Sequence, residues 1–301
     1  MFDIAVVILN WNASADTLRC LGEIALWHEL QPEVWVVDNA SSDGSAGTIA
    51  EAFPAVQLIR SRSNLGYAGG NNLAIASILN RNSRFILLLN NDATISQTDV
   101  LTLAQTLDTQ AHLGIIGPPL FDAAQKERLL TAGGQNMVRH LTSHIHQLAP
   151  TPVVQTVDYV PGTVMLIKRE VFAAVGLLDE AYFFNAEIPD FCWRAKQHGC
   201  DSAIHTQTRG YHAVSRSSKF RETLYTYYII RNRFLFIGKF HHRLEKLRLT
   251  SFWAAYSLAL AAKVQLDGKP HSARAIWLGL RDGLQGRFGG QNERVLAACK
   301  V

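Results

Sequence analysis

The 301-residue sequence predicts an α/β protein: a mostly parallel sheet flanked by helices, followed by a C-terminal helical extension. Three observations carry this expectation. Short, wholly apolar runs, above all Phe85-Ile-Leu-Leu-Leu89, have the length and composition of strands buried on both faces. Strand, polar cluster and helix recur in that order along the first hundred residues, the pattern of βαβ units. Beyond residue 219, apolar residues alternate with Lys and Arg at roughly helical spacing.

Composition agrees. Hydrophobic residues make up 48% of the chain and charged ones 18%, which suits a sizeable core and argues against overall disorder. Cys20, Cys192, Cys200 and Cys299 form no Cys-x-x-Cys pair, a pattern that fits free thiols in a reducing cytosol better than disulfides or a zinc site. Met1-Phe-Asp-Ile-Ala leads directly into a strand, so no signal peptide is expected. No apolar run approaches the roughly 18 to 20 residues of a bilayer span. The net charge of +4 is unevenly divided: residues 1–218 carry 14 Lys and Arg against 20 Asp and Glu, and residues 219–301 carry 15 against 5. The expected division is therefore an acidic body, 1–218, and a basic tail, 219–301. Such a tail suits an anionic partner, a membrane surface or phosphorylated lipid. Nucleic acid is not expected, because no nucleic-acid motif accompanies the tail and the body is acidic.

Taken in order, Ile4–Leu9 is a buried strand ending in Asn10-Trp11-Asn12, with Ser14 or Asp16 positioned to cap a helix through Leu18, Leu21, Ile24 and Ala25. Val34–Val37 is a second strand, followed by Asp38-Asn-Ala-Ser-Ser-Asp-Gly44. Gln57–Arg60 is a third, followed by the glycine-rich Asn64–Asn72 and a helix from about Leu73. Phe85–Leu89 is the fourth and ends in Asn90-Asn91-Asp92. Polar residues thus gather at the carboxyl end of each strand, where open parallel sheets bind ligands. A lone carboxylate flanked by amides, as at Asp92, suits a divalent cation with positions left for phosphate oxygens, although the same residues also favour turns. Asp38 suits a pyrimidine imide or a ribose hydroxyl. Gly66, Gly69 and Gly70 allow close backbone approach to a diphosphate, or simply make a flexible loop. Their spacing is not Gly-x-Gly-x-x-Gly and no Walker lysine follows, which excludes the common dinucleotide and P-loop patterns.

Four segments together carry a resemblance: Val6-Val-Ile-Leu-Asn-Trp-Asn12, Val36-Val-Asp-Asn-Ala-Ser-Ser-Asp-Gly-Ser45, Asn64-Leu-Gly-Tyr-Ala-Gly-Gly-Asn-Asn72 and Leu87-Leu-Leu-Asn-Asn-Asp92. In this order the chain resembles family 2 glycosyltransferases, most closely the rhamnosyltransferase-like bacterial subgroup. The resemblance implies a GT-A, Rossmann-like fold, a nucleotide-activated sugar with Mg²⁺ or Mn²⁺, and usually inversion at the anomeric centre. It implies a donor site drawn from Asn10, Asn12, Asp38, Asn39, Ser41, Gly69, Gly70, Asn71, Asn90 and Asn91, with Asp38 at the base and Asn71 in the donor region. Asp92 would end the metal-binding motif, with Asn90 where a stricter Asp-x-Asp has its first acid.

Residues 95–150 read as a helix (Val100–Leu107), a strand (Leu113–Ile116) and a polar stretch. His140, His144 and His146 in that stretch lack a carboxylate or cysteine at ligand spacing, so they read as surface histidines. Val160–Lys168 continues the family pattern and leads to Phe183-Phe-Asn-Ala-Glu187-Ile-Pro-Asp190. Glycosyl transfer needs a base for the acceptor hydroxyl. Relatives typically show Glu-Asp-x-Asp here, and Ile188 stands where the usual base would be. Glu187 is then the expected base and Asp190 a second, structural or acceptor-binding acid; Pro189 and Asp190 also fit a plain helix N-terminus. His212 resembles the family's late His, a metal ligand beside Asp92, and Arg216 would sit over the diphosphate.

The tail opens with another family-like pattern, Tyr225–Phe234, and its basic, aromatic-bearing helices suit peripheral membrane contact through 219–288. A helical subdomain packed on the body or on a second copy is the alternative. The expectation is a cytoplasmic glycosyltransferase, peripheral on the inner face of the cytoplasmic membrane. Its donor would be of the dTDP-rhamnose or UDP-sugar class, and its acceptor a glycan or polyprenyl-linked glycan of a cell-surface polysaccharide. A homodimer would also fit. The competing reading, prompted by Ile188, is a nucleotide-sugar-binding protein that has lost catalysis.

Overall fold

The computed structural model describes residues 2–213 and 219–300. The body alternates β1 (Ile4–Asn10), α1 (Ser14–Ala25), β2 (Glu33–Asp38), α2 (Ser45–Ala52), β3 (Gln57–Arg60), α3 (Gly66–Ile78) and β4 (Phe85–Asn90). It continues through β5 (Ala93–Ile95), α4 (Gln97–Thr109), β6 (Leu113–Gly117), β7 (Leu120–Asp122), β8 (Leu129–Thr131), β9 (Val154–Val157), β10 (Val164–Lys168), α5 (Arg169–Val175), α6 (Glu187–Gln197), β11 (Asp201–His205) and β12 (Gly210–His212). The main sheet has the order β3-β2-β1-β4-β10-β6-β11-β9. β1 to β4 are mutually parallel, β10 runs against both β4 and β6, and β9 runs against β11. The sheet is mostly parallel, as the apolar runs imply.

Alternation along each strand sorts side chains into two cores. Val6, Ile8, Leu87 and Leu89 face one side, with Cys20, Leu21 and Ile24 of α1 and Val100, Leu103 and Leu107 of α4. Ala5, Val7, Ile86 and Leu88 face the other, with Ile75 and Ile78 of α3 and Ile188, Phe191 and Cys192 of α6. Burial on both faces is why these strands carry no polar alternation. All four cysteines are free thiols.

Two local expectations are corrected. The cap of α1 is Ala13, without a side-chain hydrogen bond; Ser14 begins the helix, and Asp16 pairs with Arg19 at 2.8 Å. The glycine-rich stretch is not a loop, since α3 starts at Gly66 (φ +71°), two turns before Leu73. A Cβ on Gly70 would lie 2.4 Å from Leu9 Cδ1, and one on Gly69 2.7 Å from Leu65 Cβ. These glycines let the helix close on β1 and on its own first turn, and their vacant sides face protein.

A second, four-stranded sheet, β5-β12-β7-β8, occupies part of what reads as an irregular polar stretch. Its strands are only three residues long, too short to show a period. The tail folds into α7 (Lys219–Phe240), α8 (Arg243–Leu266), α9 (Pro270–Leu284) and α10 (Asn292–Cys299). Ile230, Phe234, Phe236, Trp253, Ile276 and Leu280 form its core, which is shared with Met137, Val138, Tyr182 and Ala186 of the body. The tail is therefore a helical unit packed on the body, and among the described residues no helix is long and apolar enough to cross a membrane.

Candidate active site

Parallel register brings Asn10 opposite Asp38 at the carboxyl ends of β1 and β2. The Asn10 amide donates to Asp38 Oδ1 at 2.8 Å and to Ser41 Oγ at 3.1 Å, and accepts from Thr17 Oγ1 at 2.8 Å. Asp38 Oδ2 also accepts from the Ser41 backbone N–H at 3.2 Å. Asn12, in the left-handed region at φ 50°, donates its N–H to Ser41 Oγ and accepts from the Ser42 N–H through its side chain. Asn39 holds the turn into α3: it donates to Asn64 Oδ1 and Gly66 O, and accepts from the Leu65 N–H. Asn10, Thr17, Asp38 and Asn39 form a buried polar floor, Asp38 being 4% exposed, and Asn12 and Ser42 lie exposed at its edge. Asn71 is buried too, donating to the Tyr67 carbonyl one turn back along α3.

At the end of β4, the Asn90 N–H donates to Thr163 O at 2.9 Å, and the Asn91 side chain donates to Thr17 Oγ1 at 3.0 Å. Antiparallel pairing of β12 with β5 sets His212 opposite Ala93, and the Ala213 N–H donates to Asp92 O. This register carries His212 Nε2 to 3.1 Å from Asp92 Oδ1. Nε2 is buried and makes no well-directed hydrogen bond, so a nitrogen and a carboxylate oxygen converge on one spot. That donor pair fits a divalent cation, and the imidazole favours Mn²⁺ over the harder, oxygen-seeking Mg²⁺. Among the described residues no cluster of three or more ligating side chains occurs, so further positions would fall to phosphate oxygens or water. A cleft of about 300 Å³ opens beside Asp92, also lined by Arg19, Thr94, Asp122 and Tyr211. Arg19 is a cation at this cleft that sequence reasoning missed, because on α1 it reads as surface helix. Arg216 lies outside the described residues.

Glu187 is the first residue of α6. It is 5% exposed, and its Oε2 has no hydrogen-bond partner. Burial, and secondarily the charge of Asp190, push its carboxyl up to about 7. Tyr67 is raised in turn, by burial first and then by the Glu187 charge, which marks the two as neighbours. Tyr67 donates to Gly162 O at 2.7 Å, while the adjoining Thr163 carbonyl receives the Asn90 N–H. The Gly162-Thr163 turn thus joins the Glu187 side of the site to the Asp92 side.

Asp190 has a different fate from the one expected of a catalytic acid. It is fully buried, accepting from Arg194 Nε at 2.7 Å and from Lys239 Nζ; Lys239 also bonds Asp179 at 2.7 Å. Two cations engage both of its oxygens, so it is a structural ion-pair centre and not a free base. Ile188 belongs to the apolar core on the α3 side of the sheet, where it fills the space beside Gly162.

The sequence reading also missed what α7 does for Glu187. Phe183, Asn185 and Ala186 all have positive φ, a strained path that needs support. Fully buried Asn232 donates to the carbonyls of Tyr182, Phe184 and Asn185, and fully buried Arg231 to those of Ala181, Tyr182 and Gly289. Arg231 also lies over the Tyr228 ring at 4.7 Å. The signal was present in the Arg-Asn-Arg of the tail's family-like pattern, but nothing local said which loop it would hold.

A mixed sheet with its polar floor at the carboxyl ends, beside a short sheet carrying the Asp92–His212 pair, is the architecture of a GT-A glycosyltransferase. The model of the glycosyl transferase family 2 domain matches residues 5–176, and the chain belongs to that family. The low-salt glycan biosynthesis hexosyltransferase Agl10 of Haloferax volcanii is 26% identical over 304 residues, covering 95% of this chain and 92% of its own. The N-acetylglucosaminyl-diphospho-decaprenol L-rhamnosyltransferase of Mycobacterium tuberculosis is 24% identical over 207 residues, 62% of this chain and 67% of that one. Among solved structures, the mannosyltransferase of Pyrobaculum calidifontis in complex with GDP-Man and Mn²⁺ superposes with a TM-score of 0.60 at 14% identity, over 94% of this chain and 87% of that one. The chain is a glycosyltransferase, with hexosyl- and rhamnosyltransferases among its relatives.

Proposed function

We propose that this enzyme moves a sugar, of the rhamnosyl or hexosyl class, from a nucleoside-diphosphate donor to a hydroxyl of a glycan or polyprenyl-linked glycan, with inversion. The carrying observation is the joint occurrence of two features joined by the Gly162-Thr163 turn: the 3.1 Å Asp92–His212 pair and a buried carboxylate with an unpartnered oxygen. Asp92 and His212 would hold Mn²⁺ or Mg²⁺, which when bound offsets the charge of the departing diphosphate. Arg19, which pairs with Asp16 at 2.8 Å, brings a guanidinium to the same cleft. The Asn10–Asp38–Ser41 floor and the Asn39-held turn shape the nucleoside end, with Asn12, Asn71, Asn90 and Asn91 around it. Gly69 and Gly70 contribute by bringing α3 close to β1 rather than by direct contact.

Glu187 takes the acceptor proton. A base whose pKa lies near the working pH combines adequate ionisation with adequate basicity, and burial brings Glu187 to about 7. The catalytic unit is residues 1–218, with 219–301 as an extension that supports it through Arg231 and Asn232. The diphospho-decaprenol acceptor of the mycobacterial relative supports peripheral work at the inner face of the cytoplasmic membrane, within polysaccharide synthesis.

The test is release of nucleoside diphosphate from dTDP-rhamnose, UDP-sugars and GDP-sugars, with lipid-linked acceptors, with and without Mn²⁺. Metal-dependent release that depends on acceptor supports transfer and names the donor. Tight donor binding without release, over the whole panel, would instead select the lapsed-enzyme reading prompted by Ile188.

A further inference from the structure

The packing of α8 leaves one side unexplained. Leu249, Trp253, Ser257, Leu260 and Val264 recur every three or four residues and turn inward, Trp253 being fully buried with its Nε1 donating to Val138 O at 2.8 Å. Leu244, Leu247, Ala255, Leu258, Ala262 and Leu266 lie on the opposite side, interrupted at Ser251, and all are exposed. Leu266 is 88% exposed and Leu244 76%. An ordinary surface helix presents a polar face to water. On the side away from its core this helix is mostly apolar, with Ser251 and Gln265 the uncharged polar residues among exposed leucines and alanines.

Charge around the outward face is one-sided. Arg243, Arg248 and Lys263 are exposed on or beside it and form no ion pair among the described residues. The one acid of α8, Glu245, is already held by Arg139 at 2.8 Å and His241 at 3.1 Å. Next to it, a cleft of about 530 Å³ between α8 and α9 is lined by His271, Arg274, Lys300 and the half-exposed Trp277, with no carboxylate among its lining residues.

From this we infer that the outward face of α8 lies in the interfacial region of an anionic lipid bilayer. Leucines enter the acyl boundary while the flanking cations, with Trp277 at the headgroup level, meet lipid phosphates. A second copy of the chain fits less well. A two-fold interface would set this face against itself, bringing like cations together. Nucleic acid would satisfy the cations but leave the leucines in water. The inference names the surface behind the membrane contact proposed above. It needs neither donor nor acceptor for its test, so it stands or falls separately from the transfer reaction.

The test is sedimentation of the full-length protein with vesicles of phosphatidylcholine alone or mixed with phosphatidylglycerol, at low and high salt. Wild type should partition onto the anionic vesicles and be weakened by salt. Leu247→Glu/Leu258→Glu should bind at least about 100-fold more weakly, from the two lost apolar insertions, while its circular dichroism and thermal unfolding stay as in wild type. Arg248→Gln/Lys263→Gln should lose the preference for anionic lipid but keep its fold. The inference is overturned if wild type binds neither vesicle, or if the double leucine variant binds undiminished. It is also overturned if wild type is a dimer that ignores vesicles and becomes a monomer on Leu247→Glu/Leu258→Glu.

Discussion

Replacing Glu187 by Gln separates its chemical role from its structural one, because burial gives the carboxyl two measurable signatures. In the unfolded chain the group titrates at 4.5, and in the folded enzyme at about 7. A raised acid favours folding only while protonated. Its contribution is fully present below 4.5 and is lost as pH rises through about 7. The full shift corresponds to about 3 kcal/mol, most of it lost between about pH 5 and pH 9. Glutamine keeps the shape and cannot ionise. Glu187→Gln should therefore gain stability relative to wild type by about 2–3 kcal/mol over that range, read by urea denaturation at each pH. In the wild type, kcat/KM should rise with pH along a limb of apparent pKa near 7, as Glu187 ionises. In the variant the limb should vanish and turnover fall about 10² to 10⁴-fold. Parallel stability profiles for the two proteins would refute the buried, raised carboxyl. Turnover retained with the limb intact would refute its role as base.

Other consequences follow from the same geometry. His212→Ala should raise the Mn²⁺ concentration needed for half-maximal activity by about 10-fold or more while leaving thermal stability near wild type, since metal ligands act directly on affinity; an unchanged metal titration would remove His212 from the metal. Gly70→Ala places a Cβ 2.4 Å from Leu9 Cδ1 and should destabilise the fold by about 1–3 kcal/mol, checked by chemical denaturation, with neutrality meaning that α3 can pull back. Asn232→Ala removes three hydrogen bonds from the Tyr182–Asn185 carbonyls and should lower kcat more than donor KM, with the acidic limb displaced because the Glu187 setting relaxes. Loss of stability alone, with the limb unmoved, would confine Asn232 to packing.

How much of this was legible depended on the range of each interaction. The parallel core was readable because burial on both faces leaves an uninterrupted apolar run, as at Phe85–Leu89, which became the centre of β4. The polar ends Asn10, Asp38 and Asp92 were readable because parallel strands place their carboxyl ends together. The start of α3 was misread because Gly66, Gly69 and Gly70 have poor helix propensity; the loss is outweighed by close packing on Leu9 and Phe183, partners distant in sequence or on another element. The Asp92–His212 contact depends on three-residue strands that leave no periodic trace, so only the family resemblance pointed to it. For Asp190 the sequence left a structural and an acceptor-binding role open. Its partner Lys239 lies 49 residues away on α7, and that ion pair makes it structural. Arg231 and Asn232 are the converse case: polar residues in a basic tail whose targets are backbone carbonyls, which carry no sequence signature.

The isoleucine at 188 is best understood through the same electrostatics. Its side chain is 5% exposed in the apolar core beside Gly162, so an aspartate there would lose that packing and bury a further carboxylate, besides Asp190, next to Glu187. Ile188→Asp should therefore destabilise the enzyme by about 3–5 kcal/mol. In whatever remains folded, two adjacent acids cannot both ionise cheaply, so the apparent pKa of the activity limb should move above its wild-type position near 7. The assay is the pH profile of nucleoside diphosphate release, run with a denaturation curve for the same protein. Higher turnover at pH 7 with little loss of stability would show that position 188 faces the acceptor and that Glu187 had been filling a role better served by its neighbour. Loss of both stability and neutral-pH activity would mean that this chain holds its base one residue earlier and uses 188 to keep that base dry.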